Sequence, residues 1–198
     1  MPDATAAPLT KRVDPRVRRT RALLRTAALE LAAQYDWGNI TIAHVADRAT
    51  INRATVYQHY SDLESLLVDA MEDELTGLVA LLARCPLPDG TGGTPAEFAD
   101  VFRHVESQVV LYRRMLGPCG SARFMNRLQQ LVAAQVEQRL TAEAAETRSL
   151  VGITLRGHCA AGAFIGVLRH WLTSPELVPA ETMAIDAWHA LSSTNRTC

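Results

Sequence analysis

The chain has 198 residues, of which 48% are hydrophobic, and a formal net charge of −1. That length is enough for one small and one medium domain with a sizeable core. The four cysteines are scattered, no uncharged apolar run reaches roughly 18 residues, and the start lacks an apolar leader, so the sequence predicts a cytoplasmic protein without a disulfide framework or membrane span.

The near-neutral total conceals a charge polarity along the chain. Residues 1–60 carry nine Lys and Arg against five Asp and Glu, a net charge of +4. Residues 61–198 carry eleven against sixteen, a net charge of −5. Because a basic surface attracts phosphate, this polarity predicts DNA binding at the N-terminal end and a different task for the remainder.

The first predicted elements are a flexible basic arm over residues 1–13 and a helix from Asp14 to Tyr35. Asp14 can accept hydrogen bonds from the free amides of the helix start, and Pro15 suits the first helical position. After Gly38, the Thr41 hydroxyl can cap a second helix, where it and the free backbone amides form a seat for phosphate.

Residues 41–60, TIAHVADRATINRATVYQHY, predict two short helices joined by a tight turn. Apolar residues at helical spacing make an inner face, and the second helix keeps a polar outer face. A helix-turn-helix places such a second helix in the DNA major groove. Arg53 and Gln58 are the candidates for base contacts, since Arg can bridge guanine and Gln adenine, and Thr55 can meet a thymine methyl or a phosphate.

With its basic arm, first amphipathic helix and the run VYQHYSDLESLL, this region resembles the TetR/AcrR family of bacterial transcription regulators over residues 14–70. The family's run of Thr, apolar, Tyr, any residue, His and aromatic is matched at each place by residues 55–60. The resemblance implies that Tyr57 and His59 anchor phosphates, together with Thr41 and Arg48. Two positions depart from the family pattern: Thr50 replaces the usual Gly of the turn, and Leu63 replaces a frequent Lys.

The rest of the chain predicts further helices and no alternating strand pattern. Ser61-Asp62-Leu63-Glu64 indicates a capping box that opens one long helix to about Ala83. A Pro/Gly-rich loop at residues 85–94 follows, and Thr94-Pro95-Ala96-Glu97 indicates another capping box. Helices are then expected up to Gly117, over residues 121–140, from 147 to 172 and from 179 to 192. The predicted fold class is therefore all-α.

The resemblance implies a helical domain over residues 61–198 that binds a ligand and dimerises, after the helix-turn-helix domain of residues 14–60. An aromatic and methionine stripe supplies candidate ligand contacts, although such a stripe is also typical of an ordinary core. The candidates are Phe102, Val105, Val109, Tyr112, Met115, Phe124, Met125 and His158.

The last two predicted helices are the expected dimer interface. One is rich in small residues that allow close approach, and both carry apolar bulk. The candidate interface residues are Gly162, Gly166, Trp171, Ile185 and Trp188.

The sequence thus predicts a homodimeric repressor that leaves a pseudo-palindromic double-stranded DNA operator when a small apolar or aromatic effector binds. No nucleophile elbow, phosphate loop or metal-ligand cluster supports an enzyme, a metal site or a cofactor. Two alternatives remain open. One is an architectural DNA-binding protein without a sensor, and the other is a partner-binding homologue that has lost DNA recognition.

Overall fold

A computed structural model describes residues 14–87, 93–143 and 150–194. The predicted arm of residues 1–13 lies outside the described residues, as do residues 88–92 of the predicted Pro/Gly-rich loop and the predicted start of a helix at residue 147. Within the described part there are α-helices and one short 3-10 helix at Trp37–Asn39, and no strand. The α-helices are α1 Pro15–Gln34, α2 Ile42–Ala49, α3 Arg53–His59, α4 Leu63–Ala70, α5 Glu72–Leu82, α6 Ala96–Ser107, α7 Val109–Leu116, α8 Ala122–Glu143, α9 Leu150–Thr173 and α10 Ala180–Thr194.

The N-terminal helices begin as their capping residues predict. The Asp14 side chain accepts from the Arg16 amide at 2.8 Å, and Pro15 occupies the first turn of α1. The Thr41 hydroxyl accepts a hydrogen bond from the amide of His44, in the first turn of α2, at 3.2 Å. Each bond satisfies an amide that has no partner inside the helix. The predicted starts of α1 and α2 are confirmed.

The turn between α2 and α3 takes a backbone conformation that glycine favours. Thr50 lies in the left-handed region, at φ 56° and ψ 42°, and is the one non-glycine residue with positive φ in the described part of the chain. Its amide closes α2 by bonding to the carbonyls of Ala46 and Asp47. The turn geometry is therefore kept even though the residue type is unfavourable for it.

Three predicted features of the middle of the chain are corrected. The helix expected over residues 61–83 is divided at Met71, whose ψ of −1° departs from the helical value. The helix expected from about residue 96 to 116 is divided at Gln108. The capping box expected at Thr94 does not form, because α6 has Pro95 at its N-cap and no side-chain cap bond.

The start of α4 also differs by one residue from the prediction. Asp62, rather than Ser61, is the N-cap: its side chain accepts from the Ser65 amide at 2.7 Å, and the Ser65 hydroxyl accepts from the Asp62 amide. Asp62 has the extended backbone that an N-cap requires. α4 packs on α1 and on α8, so it connects the helix-turn-helix to the C-terminal helices.

The C-terminal helices pack most extensively where α8 meets α9, and α10 packs on α6. Gly157 permits the close approach of α9, since a Cβ there would lie 2.6 Å from the Glu137 side chain and 3.0 Å from the Ala133 carbonyl. By length and composition alone, Val151–Thr173 could cross a membrane, and 33% of its most apolar window is buried inside the protein. The buried side of this helix, which includes Leu168 and Trp171, lies in the protein core.

Candidate DNA-binding surface and ligand cavity

A few side chains anchor α3 to the core, and the rest of the helix faces outward. Val56 is fully buried and Tyr60 is 4% exposed. The Asn52 side chain caps the helix by accepting from the Ala54 amide at 2.8 Å. The outer face carries the predicted DNA contacts: Arg53, Tyr57 and Gln58 are exposed, and Thr55 and His59 are half-buried.

Tyr57 is unusual among these side chains because it is large, partly apolar and 59% exposed. A tyrosine usually has one end against the protein and its hydroxyl at a polar partner. Here the Tyr57 side chain stays on the outer face of α3, where Arg53 lies one helical turn before it and Gln58 directly follows it. These three side chains are therefore accessible to another molecule.

Tyr60 fixes the end of α3 through polar contacts as well as burial. Its hydroxyl donates to the Asp69 carboxylate of α4 at 2.5 Å, and the Arg21 guanidinium of α1 lies 5.3 Å from the ring centroid. Burial, and next the hydrogen bond to Asp69, raises the pKa of Tyr60 to about 12. The phenol therefore remains a neutral donor that ties α3 to α4.

The two predicted arginines of the helix-turn-helix differ in their partners. Arg48 pairs with Glu30 at 3.2 Å and donates to Gln34 at 3.3 Å, so it braces α2 against α1. Arg53 has only an exposed pair with Asp47 at 4.0 Å, which contributes little. Arg53 is thus available to a ligand, whereas Arg48 would have to exchange partners.

His44 is a candidate that the sequence prediction missed. It is exposed and lies one turn after Thr41, which is also exposed at the N-terminus of α2. The helical spacing from Thr41 to His44 was the signal that could have found it, since residues three apart share a face. Both side chains stand where the free amides of the helix start attract an anion.

The predicted ligand-contacting stripe proves to be mainly core. Phe102, Val105, Tyr112 and Phe124 are fully buried, and Met115 is 2% exposed. The aromatic rings pack edge to face, for example Phe98 on Phe102 with 5.2 Å between centroids. Val109 and Met125 are half-buried, and His158 is exposed on α9. None of these eight predicted residues lines the cavity between the C-terminal helices, so their contact with a ligand stays a prediction.

That cavity has a volume of about 690 Å³ and lies between the end of α5, the start of α6 and helices α8, α9 and α10. Phe98, Phe164 and Trp188 form part of its apolar wall. Gln135, Arg139 and Arg156 supply polar groups to the lining. Because the lining comes from five helices, no single stretch of sequence displays it.

The predicted dimer contacts divide into exposed and buried residues. Gly162 and Gly166 are exposed on α9, with nothing within 4 Å of a Cβ built on either, and Ile185 is 48% exposed on α10. Trp171 and Trp188 are instead 1% and 4% exposed within the single chain. Trp171 donates to the Val178 carbonyl at 2.9 Å, and Trp188 packs on Phe98. The two tryptophans are core residues, which corrects their predicted place in an interface.

Polar contacts connect the DNA-binding end to the helices around the cavity. Arg123 of α8 donates to both oxygens of Asp62, at 2.9 and 3.0 Å. The Ser121 hydroxyl donates to Glu64 at 2.6 Å, and Arg127 pairs with Glu72. Thus α8, which lines the cavity, also holds the N-terminal ends of α4 and α5.

Among the described residues, no group of three or more His, Cys, Asp or Glu side chains could hold a metal ion. The described cysteines, Cys85, Cys119 and Cys159, are free thiols. Cys85 and Cys159 line the cavity.

Comparison with known proteins agrees with this arrangement. The family model for bacterial regulatory proteins, tetR family, matches residues 24–70. The HTH-type transcriptional regulator YxbF of Bacillus subtilis (strain 168) is 30% identical over 118 residues, which are 59% of this chain, and the chain spans 29% of that protein's length.

Two solved structures share the fold over most of the chain. A TetR transcriptional regulator from Streptococcus agalactiae 2603V has a TM-score of 0.63 and 19% identity, covering 90% of this chain and 96% of that one. FadR of Thermus thermophilus, a TetR-family transcriptional repressor in complex with lauroyl-CoA, has a TM-score of 0.58 and 19% identity, covering 86% and 92%.

Proposed function

The chain belongs to the TetR family of bacterial regulatory proteins, and from this premise we propose that it is a homodimeric repressor released from its operator by a small molecule. The observation that carries the proposal is the outer face of α3. Arg53, Tyr57 and Gln58 are exposed there, while Val56 and Tyr60 hold the helix to the core. The family consists of regulatory proteins, so the enzyme alternative is set aside.

We assign the DNA contacts from exposure and side-chain chemistry. Arg53 and Gln58 contact base edges, Tyr57 and His59 contact phosphates, and Thr55 contacts a thymine methyl or a phosphate. Thr41 holds a phosphate at the start of α2, and Arg48 assists by bracing that helix or by exchanging Glu30 for a phosphate. The net charge of +4 in residues 1–60 supplies the sequence-independent attraction.

Dimerisation through α9 and α10 explains the apolar and small residues that these helices expose. Gly162 and Gly166 are exposed one helical turn apart on α9, where the lack of side chains allows a partner helix to approach closely, and Ile185 is exposed on α10. A symmetric dimer presents two copies of α3 about 34–36 Å apart, one turn of DNA, and so requires a pseudo-palindromic site. An interface here also accounts for the apolar character of α9 without a membrane.

The effector acts through the cavity and the contacts of α8. In one conformation of the dimer the two α3 helices have the spacing of the operator, and in the other they do not. A ligand that binds more tightly to the second conformation shifts the equilibrium toward it, to an extent set by the difference between its affinities for the two conformations. The contacts of Arg123 and Arg127 with α4 and α5 provide the physical link. Support for release by a ligand comes from the similar FadR, which is described as a repressor in complex with lauroyl-CoA.

A gel shift tests the DNA-binding part of this proposal. The purified protein is expected to shift DNA from upstream of its own gene in the presence of random competitor DNA. Tyr57→Ala should weaken that shift by about tenfold or more, because it removes a positioned contact. Tyr35→Ala removes another exposed tyrosine, on the end of α1, and should leave the shift unchanged.

The same experiment separates the alternatives. Equal binding to random DNA with a steep salt dependence would favour the architectural protein. No binding to either DNA would favour the homologue that has lost DNA recognition, and both results contradict the proposed repressor.

A further inference from the structure

The cavity between α5, α6 and α8–α10 has an apolar body of the size that small-molecule sites have. Its volume of about 690 Å³ falls within the usual range of roughly 300–1,000 Å³ for such sites. Phe98, Phe164 and Trp188 in its wall are each at most 4% exposed. These rings are fixed by the packing of the protein and so form a preformed surface for the apolar part of a ligand.

Positive charge is the second property of this cavity. Arg139 on α8 is half-buried and Arg156 on α9 is exposed, and both line it. Gln135 lies one helical turn before Arg139 and therefore on the same face. The described lining contains no Asp or Glu.

The two arginines also differ from the others in the C-terminal domain. Residues 61–198 contain no lysine, so arginine supplies their permanent positive charge. Among the residues whose side chains are described, every other arginine of this domain donates to a carbonyl or pairs with a carboxylate, whereas Arg139 and Arg156 form no hydrogen bond or ion pair. The arginines with such partners are Arg84, Arg103, Arg113, Arg114, Arg123, Arg127 and Arg169.

The charge of Arg139 extends to the α5 end of the cavity, where Cys85 lies. Burial raises the pKa of the Cys85 thiol to about 11, and the Glu97 carboxylate adds to the rise. Arg139 acts in the opposite direction, which places its positive charge within electrostatic reach of that thiol. The Arg139 guanidinium is therefore within electrostatic reach of this end of the cavity, as is the Glu97 carboxylate, which is not among the residues of the described lining.

We propose that the cavity binds an amphipathic organic anion, namely a carboxylate with an alkyl chain or aromatic ring. The apolar part lies against Phe98, Phe164 and Trp188, and the carboxylate is held by Arg139 and Arg156 with Gln135 as a further donor. Arginine suits this role because its planar guanidinium can donate two parallel hydrogen bonds to a carboxylate. The role of this anion as the effector rests on the proposed function, but its binding does not.

Two matched pairs of probes test the inference by calorimetry on the full chain. One pair is decanoate and 1-decanol, and the other is 2-naphthoate and 2-naphthylmethanol, each below its aggregation limit. In at least one pair the carboxylate should bind about tenfold or more tightly than its alcohol, since only the carboxylate compensates the two cations. No binding by either carboxylate, or equal affinities within both pairs, would overturn the inference.

Substitutions locate the site. Arg139→Gln and Arg156→Gln should each reduce carboxylate affinity about tenfold while leaving the affinity for the alcohol unchanged. Arg19→Gln is the matched control, because Arg19 is an exposed arginine of α1 without an ion pair among the described residues. Equal affinities in all three variants would place the anion elsewhere and overturn the proposed site.

Operator binding by the same samples distinguishes this inference from the proposed function. If the carboxylate binds through Arg139 and Arg156 but saturating carboxylate leaves operator affinity unchanged, the site stands and release by this ligand fails. If the protein binds its operator but neither carboxylate is preferred, the site fails and DNA recognition stands.

Discussion

At the scale of a single residue, Thr50 has an unfavourable backbone conformation within a motif whose helices are otherwise well capped. Its left-handed backbone at φ 56° is disfavoured for a β-branched residue by about 1–2 kcal/mol, whereas glycine adopts it freely. Thr50→Gly should therefore raise the free energy of unfolding by about 0.5–1 kcal/mol, after the greater freedom of glycine in the unfolded chain is subtracted. Urea denaturation measures the change.

Ala49→Gly, one residue earlier in α2, is the control and should lower stability by about 1 kcal/mol. A loss of stability in Thr50→Gly would contradict the expected relief of backbone strain.

At the scale of an element, α4 depends on Asp62, which caps the helix and meets Arg123 of α8. The Ser65 amide, and then Ser61 and Arg123, lower the pKa of Asp62. A carboxylate whose pKa is lower in the folded state than in the unfolded state stabilises the fold above its unfolded pKa, and that contribution is lost as the pH falls through the folded pKa.

Asp62→Ala should lower the free energy of unfolding by about 1 kcal/mol near neutral pH and by progressively less below about pH 4. Unfolding followed by circular dichroism against pH measures this, and Asp62→Asn should keep much of the cap without the pH dependence. A cost of Asp62→Ala that is constant with pH would exclude the charged cap.

At the scale of the whole molecule, the proposed dimer interface on α9 and α10 would decide whether two copies can bind one operator. Gly162→Glu should leave the chain folded, because a side chain there meets nothing within 4 Å, and should shift the dimer to monomer by burying a charge in the interface. Sedimentation velocity measures the oligomeric state, and operator affinity should fall with it. Gly93→Glu, which adds the same charge in open space before α6, should change neither property. A Gly162→Glu protein that remains dimeric would move the interface away from this face.

Local chemistry determined much of this protein from its sequence alone. Asp14 with Pro15, Thr41 and the run at residues 55–60 predicted helix starts and the family, since caps and helical periodicity act between residues that are close along the chain. The divisions at Met71 and Gln108, the burial of Trp171 and Trp188, and the gathering of the cavity lining from five helices were decided only by the tertiary structure. An apolar helical stripe can face a core, a ligand or a second chain with the same spacing. Which of these it faces depends on packing between residues far apart in sequence, where local periodicity carries no information.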